Sequence, residues 1–278
     1  MNFEVNKKRC SKCAACVKDC VCAVLEMGDD AFPKVREGKE NSCVGCQHCF
    51  AICPTGAVSI FGKNPDKSLI LTEEVSSQAL VALVKNRRSC RNFERKTISK
   101  KKLNTILDAL SWTPTGCNAH SLHVTIIDDI DVMDKFRADV VSKLITLIES
   151  KKIPKRFSEG FKFAEPVLLA GVDLIFRTAP QIIFVSTPKN APTGNNDCII
   201  ALSQFEMIAQ SMKIGTTWCG YIVTILNNIL PEMYKALEIP EGNIIHGAML
   251  FGPPAVSYCR ATQPTAISIN SVGSKATD

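Results

Sequence analysis

Eight of the 14 cysteines fall into two runs of identical spacing, Cys10-x2-Cys13-x2-Cys16-x3-Cys20 and Cys43-x2-Cys46-x2-Cys49-x3-Cys53, the second followed at once by Pro54. Three thiolates on one tight loop can wrap three irons of a cubane, and the fourth iron takes its ligand from elsewhere. In this spacing the fourth cysteine of each run serves the other run's cluster. Cys10, Cys13 and Cys16 therefore group with Cys53, and Cys43, Cys46 and Cys49 group with Cys20. Soft thiolates select iron–sulfur or zinc over hard cations. Structural zinc usually takes two separated pairs rather than a triplet plus a fourth, so the spacing reads as two 4Fe–4S clusters. Val21, not proline, follows Cys20, which loosens a turn and removes no ligand. Cys22 is read as a buried spare thiol, and His48 as solvent-facing or backbone-bonded.

A second set of residues could hold an anion. Arg87-Arg88-Ser89-Cys90-Arg91 packs guanidinium forks and a hydroxyl onto one short segment, which suits a phosphate and a ribityl chain; alone it would read as a solvated basic helix end. Further along stand Pro114-Thr115-Gly116-Cys117-Asn118-Ala119-His120, the glycine-bracketed Gly215-Thr216-Thr217-Trp218-Cys219-Gly220, and Gly252-Pro253-Pro254 followed by Arg260. Each would be an ordinary turn in isolation. No cysteine outside the two runs has a paired His and acid, so Cys90, Cys117, Cys198, Cys219 and Cys259 read as small buried hydrophobes. Asp197 reads as an acid favourable to a helix N-terminus, and His123 and His246 as strand residues.

The elements that must position these groups fall into two blocks. Residues 1–62 contain an internal repeat, each half a cysteine loop followed by a short apolar strand at 23–27 or 57–60. A turn-rich stretch, 63–74, separates this block from 75–278. In the second block helices are expected before Arg87, after the capping residue Ser99, over 132–148 and over 197–212, with strands at 123–127, 181–186 and 244–251. The structure of 150–165 cannot be read from the pattern. The sum is an α+β chain.

The first block resembles the bacterial-type two-cluster ferredoxins, which implies one-electron carriers. The arginine, Pro-Thr-Gly-x-Asn and later glycine elements, in this order, resemble the nitroreductase family of FMN enzymes. The whole chain resembles the ferredoxin–nitroreductase fusions of anaerobic bacteria and protists. That resemblance implies an antiparallel-rich sheet flanked by helices in an intertwined homodimer, with FMN at the subunit interface. It implies that Arg87 and Ser89, assisted by Arg88, bind the phosphate and ribityl region, and that Arg91 lies near the pyrimidine edge. Thr115, Gly116 and Asn118 would reach the cofactor from the partner subunit, backbone N–H groups around Cys219 and Gly220 would face the flavin, and Arg260 would close on the phosphate. Ser257 stands where many relatives have a lysine, and His120 where glutamine is common.

The implied activity is passage of electrons from the clusters, from a ferredoxin donor or from NAD(P)H, through FMN to nitroaromatic, nitroheterocyclic or quinone acceptors. The flavin carries the chemistry and no side chain serves as catalytic acid or base. The alternative is a non-enzymatic redox carrier or sensor. A net charge of +6 is mild, with 8 Lys+Arg against 7 Asp+Glu in residues 1–62, and no aromatic-interleaved basic patch favours nucleic acid. The most apolar stretch, 166–185, is broken by Asp173, Arg177 and Gln181, whereas a membrane span asks for ~20 mostly apolar residues. With no leader pattern at the start and thiols clustered as for metal, the expectation is a cytoplasmic protein of an anaerobic cell.

Overall fold

The computed structural model describes residues 1–70 and 74–273, with side chains except at 158–160. Residues 71–73 of the expected linker and 274–278 of the expected second domain lie outside the described residues.

The chain begins with β1 (Phe3–Val5), α1 (Ala15–Lys18), β2 (Leu25–Met27), β3 (Pro33–Val35), α2 (His48–Ala51) and β4 (Val58–Ile60). β1 pairs antiparallel with β4, Phe3 opposite Ile60, and β2 pairs with β3. The repeat read in the sequence is a repeat of backbone. Lys12, Ala14 and Ala23 take positive φ in the first half, and Gly45, Gln47 and Gly56 do so at the matching places in the second. Non-glycine residues enter that region only under local constraint, which here bends the chain around each set of thiols. The buried core of this unit is small: Cys16, Val24, Leu25, Ala57, Val58 and Ile60 are buried, and Phe3, Val17, Val35 and Phe50 pack with Cys20, Cys49 and Cys53 against Cys16, Leu25 and Val58. Arg9 closes the unit, its Nη1 donating to both carboxylate oxygens of Asp66 at 2.8 and 3.0 Å. A Cβ on Gly56, at φ +57°, would fall 2.9 Å from that guanidinium, so a larger residue there would have to displace the Arg9 side chain.

The second block runs α3 (Ser77–Asn86), α4 (Lys100–Leu110), β5 (His123–Ile127), α5 (Ile130–Glu149), α6 (Lys155–Phe161), α7 (Ala164–Leu169), β6 (Gln181–Pro188), α8 (Gly194–Ser211), β7 (Gly215–Trp218), α9 (Gly220–Asn228) and β8 (Asn243–Gly252). Ser76, Ser99 and Asp129 cap α3, α4 and α5 through side-chain oxygens that accept first-turn amides, satisfying donors no helix can pair internally. The sheet has the order β5-β6-β8-β7 with every pairing antiparallel.

Alternation along β6 and β8 decides the layering. Ile182, Phe184, Ala248 and Leu250 face α5, α7 and α9. Ile183, Val185, Met249 and Phe251 face α4 and α8. A sheet covered on both faces is apolar at every position, and β6 is buried from Gln181 through Thr187. Phe136 anchors one layer, edge-on to Phe176 at 5.9 Å and to Phe184 at 6.1 Å; Phe205 and Phe251 meet at 5.2 Å in the other.

One element differs from the sequence reading. The stretch from Gly215 to Tyr221, expected as a loop, is the edge strand β7 followed at once by α9. Thr216, Thr217 and Trp218 are good strand formers, and the flanking glycines mark element ends. Residues 150–165, unreadable in sequence, form α6 and the start of α7, and Phe161, Ala164 and Leu168 fasten them to the core. By contrast α3 buries nothing: Leu80, Val81 and Val84 are 50%, 49% and 56% exposed.

Candidate functional site

The eight run cysteines are free thiols. Each fourth cysteine receives an amide from four residues on: Val24 N–H donates to Cys20 Sγ at 3.4 Å, and Ala57 N–H to Cys53 Sγ at 3.2 Å. The Ala57 amide favours the thiolate form of Cys53. Charge repulsion between thiolates links Cys53 to Cys13 and Cys16, and Cys49 to Cys16 ahead of Cys43 and Cys46, so thiols of both runs lie close together. Burial pushes the Cys49 thiol up to about 11, whereas the Ala15 amide draws Cys13 down. Among the described residues no group of three or more His, Cys, Asp or Glu is gathered as a metal-ion site. A cubane spreads its thiolates over four irons, and thiolate donors in two sets of four suit that chemistry. His48 is solvent-facing, as read, with Nδ1 3.2 Å from the Asp19 carboxylate. Cys22 is half-buried and outside both sets.

In the second block the arginine segment lies along the free edge of β7. Ser89 bridges Thr216 in parallel, and Cys90 N–H donates to the Thr216 carbonyl at 2.7 Å. The chain after β8 crosses the same segment: Ala255 N–H donates to Asn92 O at 2.9 Å, and Tyr258 hydroxyl to Ser89 O at 3.2 Å. Between them opens a cleft of about 740 Å³ whose lining includes Arg88, Lys213, Tyr258 and Arg260 and no Asp or Glu. That volume suits a cofactor-sized ligand, and three cations without an acid suit an anionic one. Close by, Thr216 and Thr217 carry buried hydroxyl oxygens without a partner.

The structure gathers the expected residues unevenly. Arg88 and Arg260 line the cleft with Ser89 at its edge. Arg87 turns away, its Nη1 3.2 Å from Glu206 Oε1. Glu206, 7% exposed on α8, also accepts Trp218 Nε1 at 3.3 Å. Arg91 is exposed. Cys219 N–H is taken by the Ala248 carbonyl at 2.9 Å, leaving Gly220, exposed at the start of α9, with a first-turn amide that has no intrahelical partner. Sequence reasoning missed Lys213, Tyr258 and Glu206. A lysine just past a helix end reads as a dipole complement, and neither the lone tyrosine nor the mid-helix acid has a pattern around it.

The Thr115-Gly116-Asn118 loop stands outside the cleft lining. Gly116 N–H donates to Asp197 Oδ1 at 3.1 Å, and Thr193 hydroxyl to Asp197 Oδ2 at 2.9 Å. Asp197, 3% exposed, thus pins this loop, a role more specific than dipole complement. A Cβ on Gly116 would sit 2.2 Å from Thr193 Oγ1. Asn118 Nδ2 donates to the Val44 carbonyl inside the second cysteine run at 3.1 Å. Cys90, Cys198 and Cys219 are buried as expected, but Cys117 and Cys259 are exposed, because one sits at φ 51° on a loop tip and the other on the surface tail. Burial pushes Cys219 up to about 11, a neutral thiol at physiological pH. His246 Nε2 lies 3.0 Å from Thr187 Oγ1 within the sheet.

The nitroreductase family model matches residues 84–252, more than half of the chain. The chain belongs to the nitroreductase family. Among solved structures, a nitroreductase with bound FMN from Bacteroides fragilis superposes with a TM-score of 0.59 at 20% identity, covering 73% of this chain and 100% of that one. A second, with bound FMN from Desulfitobacterium hafniense, gives 0.57 at 22% identity over 70% and 98%. These likenesses establish the nitroreductase fold of the second block. A ferredoxin from Methanothermococcus thermolithotrophicus is 33% identical over 60 residues, which is 22% of this chain and 95% of that protein. This nitroreductase therefore carries a ferredoxin unit at its N-terminus, in one fused oxidoreductase chain. No helix among its described residues is long and apolar enough to cross a membrane.

Proposed function

We propose that this nitroreductase takes electrons at two 4Fe–4S clusters, or from NAD(P)H, and passes them through FMN to nitroaromatic, nitroheterocyclic or quinone acceptors. The observation that carries the reading is the cleft lined by Arg88, Lys213 and Arg260 without an opposing acid, in a chain whose N-terminal unit holds two four-thiol sets. Residues 1–62 are the ferredoxin-type domain, 63–74 the connection, and 75–278 the flavin domain. The oxygen sensitivity of exposed clusters fits an anaerobic cytoplasm.

In this assignment Arg88, Lys213 and Arg260 hold the FMN phosphate. Lys213 supplies the cation that Ser257 does not, and Ser89 meets the ribityl chain at the rim. Arg87, braced by Glu206, stiffens the segment. Arg91 brings positive charge to the pyrimidine edge, and the Gly220 amide faces the ring. Bound FMN supplies a carrier able to accept hydride or single electrons and deliver them to a stacked acceptor. The side chains orient and neutralise, and Cys219 stays protonated and takes no covalent part.

Thr115 and Gly116 lie outside this cleft and serve the cofactor of a second copy; Asn118 beside them turns its side chain to Val44 instead. A homodimer also accounts for the exposed apolar side of α3 and for a groove along α4 and α8 lined by Ala109, Ile199, Ile200 and Met207, surfaces a lone soluble protein rarely leaves bare.

Anaerobic purification should return about eight irons and about one FMN per chain, in a species of dimer mass. Dithionite-reduced protein should reoxidise rapidly on mixing with a nitroheterocycle, and Lys213→Ala should weaken FMN retention about tenfold, as losing one charge-assisted contact does. Absence of flavin would overturn the cleft assignment. Bound iron and flavin with no reoxidation by nitro compounds or quinones would overturn the acceptor class.

A further inference from the structure

The two cysteine runs share a backbone but not their surroundings. Val44, Gly45 and Cys46 of the second run are half-buried, whereas their counterparts Ser11, Lys12 and Cys13 are exposed. Cover over the second run comes from the flavin domain and from Phe61 of its own unit. Asn118 Nδ2 donates to Val44 O at 3.1 Å, and a Cβ built on Gly45 would stand 3.8 Å from the same nitrogen and 3.8 Å from Phe61 Cε2. Asn118 is itself held: its Oδ1 lies 2.8 Å from His120 Nε2, and both residues take left-handed backbone at φ 54° and 46°. At the matching place in the first run, Lys12 turns back into its own domain, toward the Asp30 carbonyl at 3.3 Å and the Phe32 ring at 4.4 Å. Nothing in a repeat of equal spacing predicts that asymmetry.

We propose that Asn118 is the positioning residue that seats the second cysteine run on the flavin domain. The cluster site of Cys43, Cys46, Cys49 and Cys20 is then the inner one. That of Cys10, Cys13, Cys16 and Cys53 faces outward and receives electrons from an external one-electron donor of ferredoxin class. The assignment rests on the two-cluster reading under Proposed function. Two successive one-electron transfers from that donor, outer site to inner site, with two protons from water, balance the full reduction of one FMN. An amide suits the position because it donates to a carbonyl without adding charge beside a cluster; a carboxylate would lose the donor and favour the oxidised cluster.

The test uses anaerobically purified full-length holoprotein, read by hydrogen–deuterium exchange and by redox titration followed by electron paramagnetic resonance. Amides of 43–47 should exchange more slowly than those of 10–14, and Asn118→Ala should speed 43–47 by up to about tenfold, as loss of one part-buried hydrogen bond does, leaving 10–14 unchanged. Asn118→Gln, which keeps the donor, should retain most of the protection. Asn118→Asp should lower the midpoint of one cluster only, and Lys12→Asp the midpoint of the other. Unchanged exchange at 43–47 in Asn118→Ala, or a shift of the same cluster by both aspartates, overturns the proposal. Iron absent from the same preparations would overturn the cluster reading as well; full iron with unaltered exchange overturns only the seating by Asn118.

Discussion

The ferredoxin unit centres its core on Cys16, Leu25 and Val58, whereas the sheet domain buries β6 from end to end between two helical layers. A unit of about 60 residues with so little apolar centre is marginal without a metal or a cross-link, and four of its expected ligands sit in or against that centre. The sheet domain has aromatic and aliphatic burial on both faces and needs no such staple. On the two-cluster proposal, stability in one half is inseparable from its cofactor, and in the other it precedes the cofactor. The largest expected effect follows from this contrast. Stripping iron with a chelator under anaerobic conditions should abolish exchange protection throughout 1–62 and leave the thermal transition of the sheet domain in place, because a metal-held fold is lost with its metal. Persistent protection in iron-free protein would break the comparison.

The reciprocal experiment strikes the sheet. Phe184 is fully buried and edge-on to Phe136 at 6.1 Å, so Phe184→Ala should cost about 3–5 kcal/mol. It should lower the midpoint of the second unfolding transition and leave iron content unchanged. A loss of iron in that variant would mean that the two halves fold as one.

The smallest effect sharpens how little surface charge adds to the sheet domain. Arg95, and then Arg137, hold the Asp134 carboxyl below the usual carboxylate range. A depressed folded-state pKa gives stability that is present above the unfolded value and lost as pH falls through the folded one. With Arg95 largely exposed, Asp134→Asn should cost roughly 0.5 kcal/mol at neutral pH. The gap between variant and parent in urea unfolding should close as the solution is acidified through that range. A gap that widened on acidification would reverse the sign of the contribution.

What could be read in the chain follows the same division. Cysteine spacing is a covalent-scale constraint, so the ferredoxin-like character of the first block was legible before any fold was considered. The helix capped by Ser99, the periodic helix over 132–148 and the strand β6 announced themselves by period and, in the first, by its capping residue. β7 did not, because a four-residue edge strand bracketed by glycines has the composition of a turn. Lys213 and Tyr258 were illegible because their meaning depends on a tail folding back across Ser89, a contact of 169 residues' separation. Glu206 stayed hidden because its ion-pair partner, Arg87, lies 119 residues away in the chain. The Asn118–Val44 contact was beyond reach for the same reason: its residues belong to motifs that each make sense alone.

The proposed crossing of the fourth cysteines and the pairing of β1 with β4 also bear on how such a chain is made. Synthesis delivers Cys10, Cys13 and Cys16 first, yet the fourth ligand proposed for them is Cys53, and β1 has no strand partner until residues 58–60 have emerged. A chain interrupted anywhere before Cys49 offers neither site a full set of thiols. Iron loading is thereby deferred until nearly the whole unit exists, and an abandoned fragment leaves the ribosome without carrying a cluster away.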